Sequence, residues 1–274
     1  MSAPGTEAES AKGRASQWAD LGTRVGSAVG MAVIGGAAIW CGGLALGWLV
    51  VVLGGLMAWE VARLQVATRP APEFMGLLAA AVLAAIIFRH DPRLLPTLGL
   101  PSLVLLFMGG RDRLLRAAYL GLVLLAAYAF YAFREGYGLA FTLWLVLLVI
   151  ACDMMGYFGG RLIGGPKFWP AVSPKKTWSG TIAGWVGAGA VGAVFATAYD
   201  EPSTVTILSV LAAFAAQMGD IAESFLKRRA GVKDSSALIP GHGGILDRFD
   251  ALVGATIFLV AWGLLRQPLP DFGL

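Results

Sequence analysis

Asp220, Glu223, Ser224 and Lys227 stand at i, i+3, i+4 and i+7, a spacing that places all four on one face of a helix. They belong to the stretch from Gln217 to Asp250, QMGDIAESFLKRRAGVKDSSALIPGHGGILDRFD, which opens at the end of an apolar helix. Acidic groups at membrane depth are costly and by default mark a functional site. The plainer reading is an interfacial ion pair of Asp220 with Lys227 or Arg228. Further on, Pro240 cannot continue a helix, while Gly241, Gly243 and Gly244 permit a tight turn with exposed amides. Ile245 then starts a helix carrying Asp247, Arg248 and Asp250. Exposed amides beside a helix start suit a phosphate. The competing reading is an ordinary loop with a solvated His242.

An earlier polar segment, DMMGYFGGRLIGGPKFWPAVSPKKTWSG, runs from Asp153 to Gly180. Asp153 lies inside an apolar span, so the functional default applies to it too. Ser173, Lys175, Lys176 and Thr177 offer two hydroxyls and two ammonium groups just before the next helix, although lysines there also serve as plain interfacial anchors. Residues 159–180 and 220–250 together hold nine of the 21 basic residues, and five acids. Carboxylates for a divalent cation beside bases for phosphate form the pattern of phosphoryl or nucleotidyl transfer. Gly187, Gly189 and Gly192 spell GxGxxG, but inside an apolar helix; with Gly180, Gly184 and Ala188 they read as a packing ridge. Gly160 and Gly165 have P-loop spacing, yet Pro166 stands where the lysine belongs.

These residues need a membrane to hold them. Of 274 residues, 57% are apolar and 14% charged, against about 25% charged in soluble domains. That composition excludes a soluble enzyme, a disordered chain and a disulfide-stapled domain. Two cysteines and two histidines leave any metal to oxygen ligands. Apolar spans fall at roughly 25–41, 44–62, 73–88, 95–109, 114–133, 138–158, 180–199, 204–222 and 250–266, which makes about nine helices in an all-α transmembrane bundle. The fourth is the weakest, being short and interrupted by Pro96 and Pro101. Residues 1–24 read as a disordered polar tail, 25–134 as the N-terminal helices, and 135–274 as the catalytic region with loops 159–179 and 223–249. With the N-terminus inside, 17 basic residues fall on the cytoplasmic side and four on the other. Both polar loops then face the cytoplasm.

The C-terminal motif resembles that of the phosphatidate cytidylyltransferases, also called CDP-diacylglycerol synthases. Ser224, Lys227, Arg228, Lys233, Asp234, Pro240, Gly241, His242, Gly243, Gly244, Asp247, Arg248 and Asp250 match the family pattern S-x-hydrophobic-K-R, K-D, P-G-H-G-G-hydrophobic-x-D-R-hydrophobic-D. The QxGD ending at Asp220 and the SPKKT segment are similar too. The sequence departs at Gly156, where the family has alanine, and at Ser179, where it has glutamate.

The resemblance implies an integral enzyme of a bacterial inner membrane that makes CDP-diacylglycerol and pyrophosphate from CTP and phosphatidate. It implies Mg²⁺, alone or with a second cation, on Asp220 and Asp247, and membrane lipid around a cavity that faces the cytoplasm. It also allows a homodimer, and no nucleic acid is expected as partner. In this reading Asp220, Lys227, Asp247 and Arg248 are the catalytic set. Lys227, Arg228, Lys233 and Arg248 neutralise the phosphates, and the His242 loop closes on them by its amides. Asp153, Ser173, Lys175, Lys176, Thr177, Ser224, Asp234 and Asp250 complete the substrate wall. The alternatives are a transporter of a phosphate-bearing solute, a CTP-using lipid kinase and an ether-lipid cytidylyltransferase.

Overall fold

The computed structural model describes residues 22, 25–65, 71–110, 112–265 and 267–273. The tail expected over residues 1–24 therefore lies, Gly22 apart, outside the described residues. Helices α1 (Val25–Cys41), α2 (Gly43–Gln65) and α3 (Ala71–Arg89) come first. A 3-10 helix (Pro92–Gly99) then runs into α4 (Leu100–Phe107), followed by α5 (Arg113–Leu162). Strands β1 (Lys167–Trp169) and β2 (Ser173–Thr177) form an antiparallel hairpin before α6 (Trp178–Ala198), α7 (Thr204–Arg229) and α8 (Leu246–Leu264). The hairpin corrects the all-α expectation in one detail, since the SPKKT segment is a strand. Among the described residues five helices, α2, α3, α5, α6 and α7, are long and apolar enough to cross a membrane. Helix α1 and the stretch Pro92–Phe107 are shorter, and α8 opens with Asp247, Arg248 and Asp250.

Helix α5 counts once in that tally but runs in two directions. Fifty residues of straight helix would measure about 75 Å. Yet Asp112, just before it, pairs with Arg229 at the end of α7, 2.6 Å away. Gly156 and Gly160, near its other end, pack on Gly180 at the start of α6. Midway, Arg134 Nε donates to the Ile39 carbonyl at 2.7 Å, at the far end of α1. The chain turns back at Gly138, whose φ of 79° and ψ of −173° suit a residue without Cβ. The spans expected at 114–133 and 138–158 are the two arms of this V.

The arms centre on two apolar cores, with Ala129 and Phe133 of the first arm reaching into the second. The first joins α2 and α3 around Leu46, Met57, Met75, Leu83, Leu120 and Leu124. The second sets Phe141, Trp144, Leu145 and Leu148 against Ala188, Ala212, Ala213, Ala216 and Ala255. Large residues meet small ones because lipid is as apolar as leucine, so close packing must hold helices together. Trp144 Nε1 donates to Ser209 Oγ at 2.9 Å, which satisfies the one polar atom of that buried ring. The glycine ridge on α6 behaves as expected: Gly180, Gly184 and Gly192 lie against Gly156, Cys152 and Ser209.

The closest helix approach is between α7 and α8. A Cβ at Gly219 would stand 2.3 Å from the Asp250 carbonyl oxygen, and one at Gly254 would stand 2.3 Å from that of Ala215. These backbones touch beside Asp220 and Asp250, so the contact sets the spacing of two site carboxylates. Gly219→Ala should force the helices apart and cost about 1–3 kcal/mol, read as a lower melting temperature in detergent. Gly263→Ala, where the added carbon meets only Leu269 at 3.8 Å, is the control and should lose nothing. Equal melting of Gly219→Ala and the parent would contradict this packing.

Candidate active site

The expected helix face exists on α7, but its side chains divide between two tasks. Asp220 Oδ2 accepts from Lys176 Nζ at 2.8 Å, which draws strand β2 onto α7. Lys176 Nζ also reaches the Gln217 carbonyl at 3.4 Å. Gln217 is itself fixed by Trp185 Nε1, at 3.1 Å, and by donating to the Thr181 carbonyl at 3.2 Å. Ser224 Oγ lies 3.5 Å from Asp220 Oδ1, at the edge of hydrogen-bond reach.

Lys227 is turned inward. Its Nζ stands 2.5 Å from Glu223 Oε2 and 2.5 Å from Asp247 Oδ1, and the three side chains are 9%, 0% and 4% exposed. Asp247, in the first turn of α8, takes further donors on Oδ2: Ser235 N at 3.0 Å, Ser235 Oγ at 3.1 Å and Gly244 N at 2.8 Å. Burial raises the Asp247 carboxyl, but the bonds from Lys227 and from the Gly244 and Ser235 amides outweigh it and hold the group below its ordinary range.

Two cavities adjoin this network. The first, about 340 Å³, is lined by Asp153, Asp220, Lys227, Asp234, Asp247, Arg248 and Asp250. The second, about 580 Å³, is bounded by Lys233, Ser236, Ile239 and residues 240–243, including His242. Asp234 and Arg248 line both, so the cavities are neighbours. Arg248 Nη2 donates to the His242 carbonyl at 2.7 Å, which sets the guanidinium at their boundary. His242 Nδ1 stands 2.8 Å from Ser27 Oγ of α1.

Several expected site residues sit elsewhere. Thr177 is buried and caps α6, accepting from the Gly180 amide at 3.2 Å. Lys175 is exposed, and neither it nor Ser173 lines either cavity. Arg228 turns outward and donates to the Val232 carbonyl at 3.1 Å. The amides next to the glycine turn are not open to phosphate as expected. Gly244 gives its N–H to Asp247, Ile245 and Leu246 give theirs to Glu60, and His242 and Gly243 bond the Ile239 carbonyl. Ser179, in place of the family glutamate, donates to the Gly164 carbonyl and ties the hairpin to α6. Glu60 and Ser235 escaped the sequence reading altogether, because neither stands in a motif with the residues it contacts. Glu223 was visible by its spacing, though not as the partner that buries Lys227.

Five carboxylates line the first cavity with Lys227 and Arg248, and among the described residues no three of them converge into a cluster that could hold a metal ion. Asp220, with a side chain 37% exposed, is the open donor, whereas Asp247 shares its oxygens with protein donors. The two aspartates should therefore respond differently to mutation. Asp247→Asn would leave the buried Lys227 paired by Glu223 alone and weaken the acceptor for Ser235 and Gly244, at a cost of about 2–3 kcal/mol. That loss should appear as a lower melting temperature. Asp220→Asn removes a half-open pair worth at most about 1 kcal/mol and should melt near the parent. Because the Asp247 carboxyl is depressed, its contribution is full above the ordinary carboxylate range and disappears as pH falls through the lower folded value. Equal melting of both variants would refute this division.

Comparison with known proteins agrees with this geometry. A family model described as the cytidylyltransferase family matches residues 22–265. A phosphatidate cytidylyltransferase of Brucella abortus is 44% identical over 131 residues, 47% of this chain and 48% of that protein. One of Haemophilus influenzae is 43% identical over 129 residues, covering 44% and 45% of the two chains. One of Staphylococcus haemolyticus is 39% identical over 150 residues, covering 54% and 56%. The matched stretch thus spans about half the length of these curated relatives. With the family model covering nearly the whole chain and the paired carboxylates and bases in one cleft, this chain belongs to the cytidylyltransferase family.

Proposed function

We propose that the chain transfers the cytidylyl group of CTP to phosphatidate, giving CDP-diacylglycerol and pyrophosphate. The observation that carries this reading is where the first cavity lies. Asp153 lines it from within an apolar helix, and the next residues along that helix, Met154, Met155, Tyr157 and Phe158, are exposed apolar side chains. A lipid phosphate can reach such a cavity from the membrane, while a soluble nucleotide enters from the polar side through the second cavity. The relatives named phosphatidate cytidylyltransferase support the same substrates.

In this reading the chain crosses the inner membrane nine times, counting α1, Pro92–Phe107, α8 and both arms of α5. The basic residues put the N-terminus and both cavities on the cytoplasmic side. Glu60, Asp112, Lys176, Asp220 and Asp247 cluster at one end of the bundle, which favours a single site at that face.

The reaction forms a P–O bond between a phosphatidate phosphate oxygen and the α-phosphorus of CTP, and it breaks the α–β bridge to release pyrophosphate. The lipid phosphate is already ionised at neutral pH, so no strong general base is required. Arg248, at the boundary of the cavities, and Lys176 and Lys233 beside it hold the phosphates in line and offset charge on the leaving pyrophosphate. Lys227 acts from beneath by holding Asp247. Asp220 and Asp247 would hold Mg²⁺, which would supply positive charge against the repulsion between the two anions. His242 serves as a hydrogen-bond donor rather than as a base.

Purified protein given labelled CTP, Mg²⁺ and phosphatidate should form CDP-diacylglycerol and pyrophosphate in equal amounts, and chelation should stop it. Asp220→Asn should lower kcat/KM at least about 100-fold. A phosphorylated lipid without pyrophosphate would instead identify a kinase, and CTP binding without turnover would favour a carrier. Orientation has its own test. Single cysteines at Ala171 and Ser203, in a variant lacking Cys41 and Cys152, should react with an impermeant thiol reagent from opposite sides. Reaction from one side only would sink the topology.

A further inference from the structure

Glu60 is a fully buried carboxylate one turn before the end of α2, far in sequence from every motif. Its Oε1 accepts from Ser236 Oγ at 2.5 Å and from Ile245 N at 2.9 Å, and its Oε2 accepts from Leu246 N at 2.6 Å. A carboxylate offers only acceptors, and here three donors converge on it. Two of them are amides at the start of α8, where the helix dipole favours a negative charge and no cap from α8's own side chains is present. The third comes from the opposite end of the segment 236–245. One side chain of the N-terminal helices thus closes that segment like a clasp.

What the clasp holds is the site. Segment 236–243 bounds the second cavity, and α8 carries Asp247, Arg248 and Asp250 within its first five residues. Gly244 lies between the two tie points, and a Cβ there would stand 1.9 Å from Ser235 Oγ and 2.5 Å from Glu60 Oε1. The last glycine of PGHGG is therefore required by the approach of both Ser235 and Glu60. Ile245 and Leu246 are buried in the same core as Met57, Ala58 and Val61, which keeps the carboxylate away from bulk water.

We propose that Glu60 is the positioning residue of the active loop: through Ser236, Ile245 and Leu246 it fixes the start of α8 and the wall of the second cavity without touching substrate. The inference rests on the cytidylyl transfer proposed above for its kinetic readout, and on hydrogen exchange for a readout independent of it. In the full-length protein, Glu60→Gln keeps one acceptor oxygen and Glu60→Ala keeps none. Amide exchange across 236–247 should accelerate at least about tenfold in the glutamine variant and further in the alanine variant, with α6 unchanged. Transfer rates should fall in the same order. Should Glu60→Ala fail to fold, Ser236→Ala removes one donor and leaves the carboxylate. Combined with Glu60→Gln it should cost at least about twofold less than the product of the two single losses, since both break one bond. Unchanged loop exchange in Glu60→Gln, or strict multiplicativity with Ser236→Ala, would overturn the proposal. Undiminished transfer by Glu60→Gln in a preparation whose parent is active would overturn it too. A parent that makes no CDP-diacylglycerol would instead strike the proposed reaction alone, leaving the exchange arm to decide on Glu60.

Discussion

The site depends on one buried cation. Lys227 cannot lie unpaired inside an apolar bundle, and Glu223, four residues back on the same helix, pairs it without tying it to any other element. The second partner, Asp247, comes from α8, and its other oxygen gathers Ser235 and Gly244. Through that ammonium group α7, α8 and the turn between them are fixed to one another. The Gly219–Gly254 approach adds a steric limit to the electrostatic one. Together they determine how far apart Asp220 and Asp250 stand.

This assigns different work to the basic side chains. Lys227 is internal structure, and Arg228 points away. Arg248 and Lys233 keep charge at the cavities, and Lys176 stands behind the first as the partner of Asp220, each on a separate element. Cations that must meet a solvated polyanion stay near water, where desolvation is cheap. The one that orients a carboxylate is buried, where its field is least screened.

Much of this was legible in the sequence. The i, i+3, i+4, i+7 spacing gave the α7 face, Pro240 and the glycines gave the turn, and the helix carrying Asp247 to Asp250 starts where expected. The small-residue ridge of α6 packs as read. Partners were not legible. Spacing says which way a lysine points from its helix, but not whether a carboxylate or a phosphate waits there. The amides that follow PGHGG, those of Ile245 and Leu246, looked open because their acceptor, Glu60, lies about 185 residues away in an unremarkable apolar helix. Thr177 looked like a ligand because a capping hydroxyl and a binding hydroxyl are the same group until the fold is known. The β hairpin was missed because three- and five-residue strands leave no periodicity to read.

The V of α5 bears on how the molecule is assembled. Its arms centre on two apolar cores, which Ala129 and Phe133 of the first arm bridge, and they are joined by one residue, Gly138. A one-residue join couples the placement of the two arms, so neither is set in the bundle independently of the other. Once they are seated, a tilt of the N-terminal half passes directly into the helix that carries Asp153. The scaffold half is thus a mechanical neighbour of the chemistry as well as its anchor.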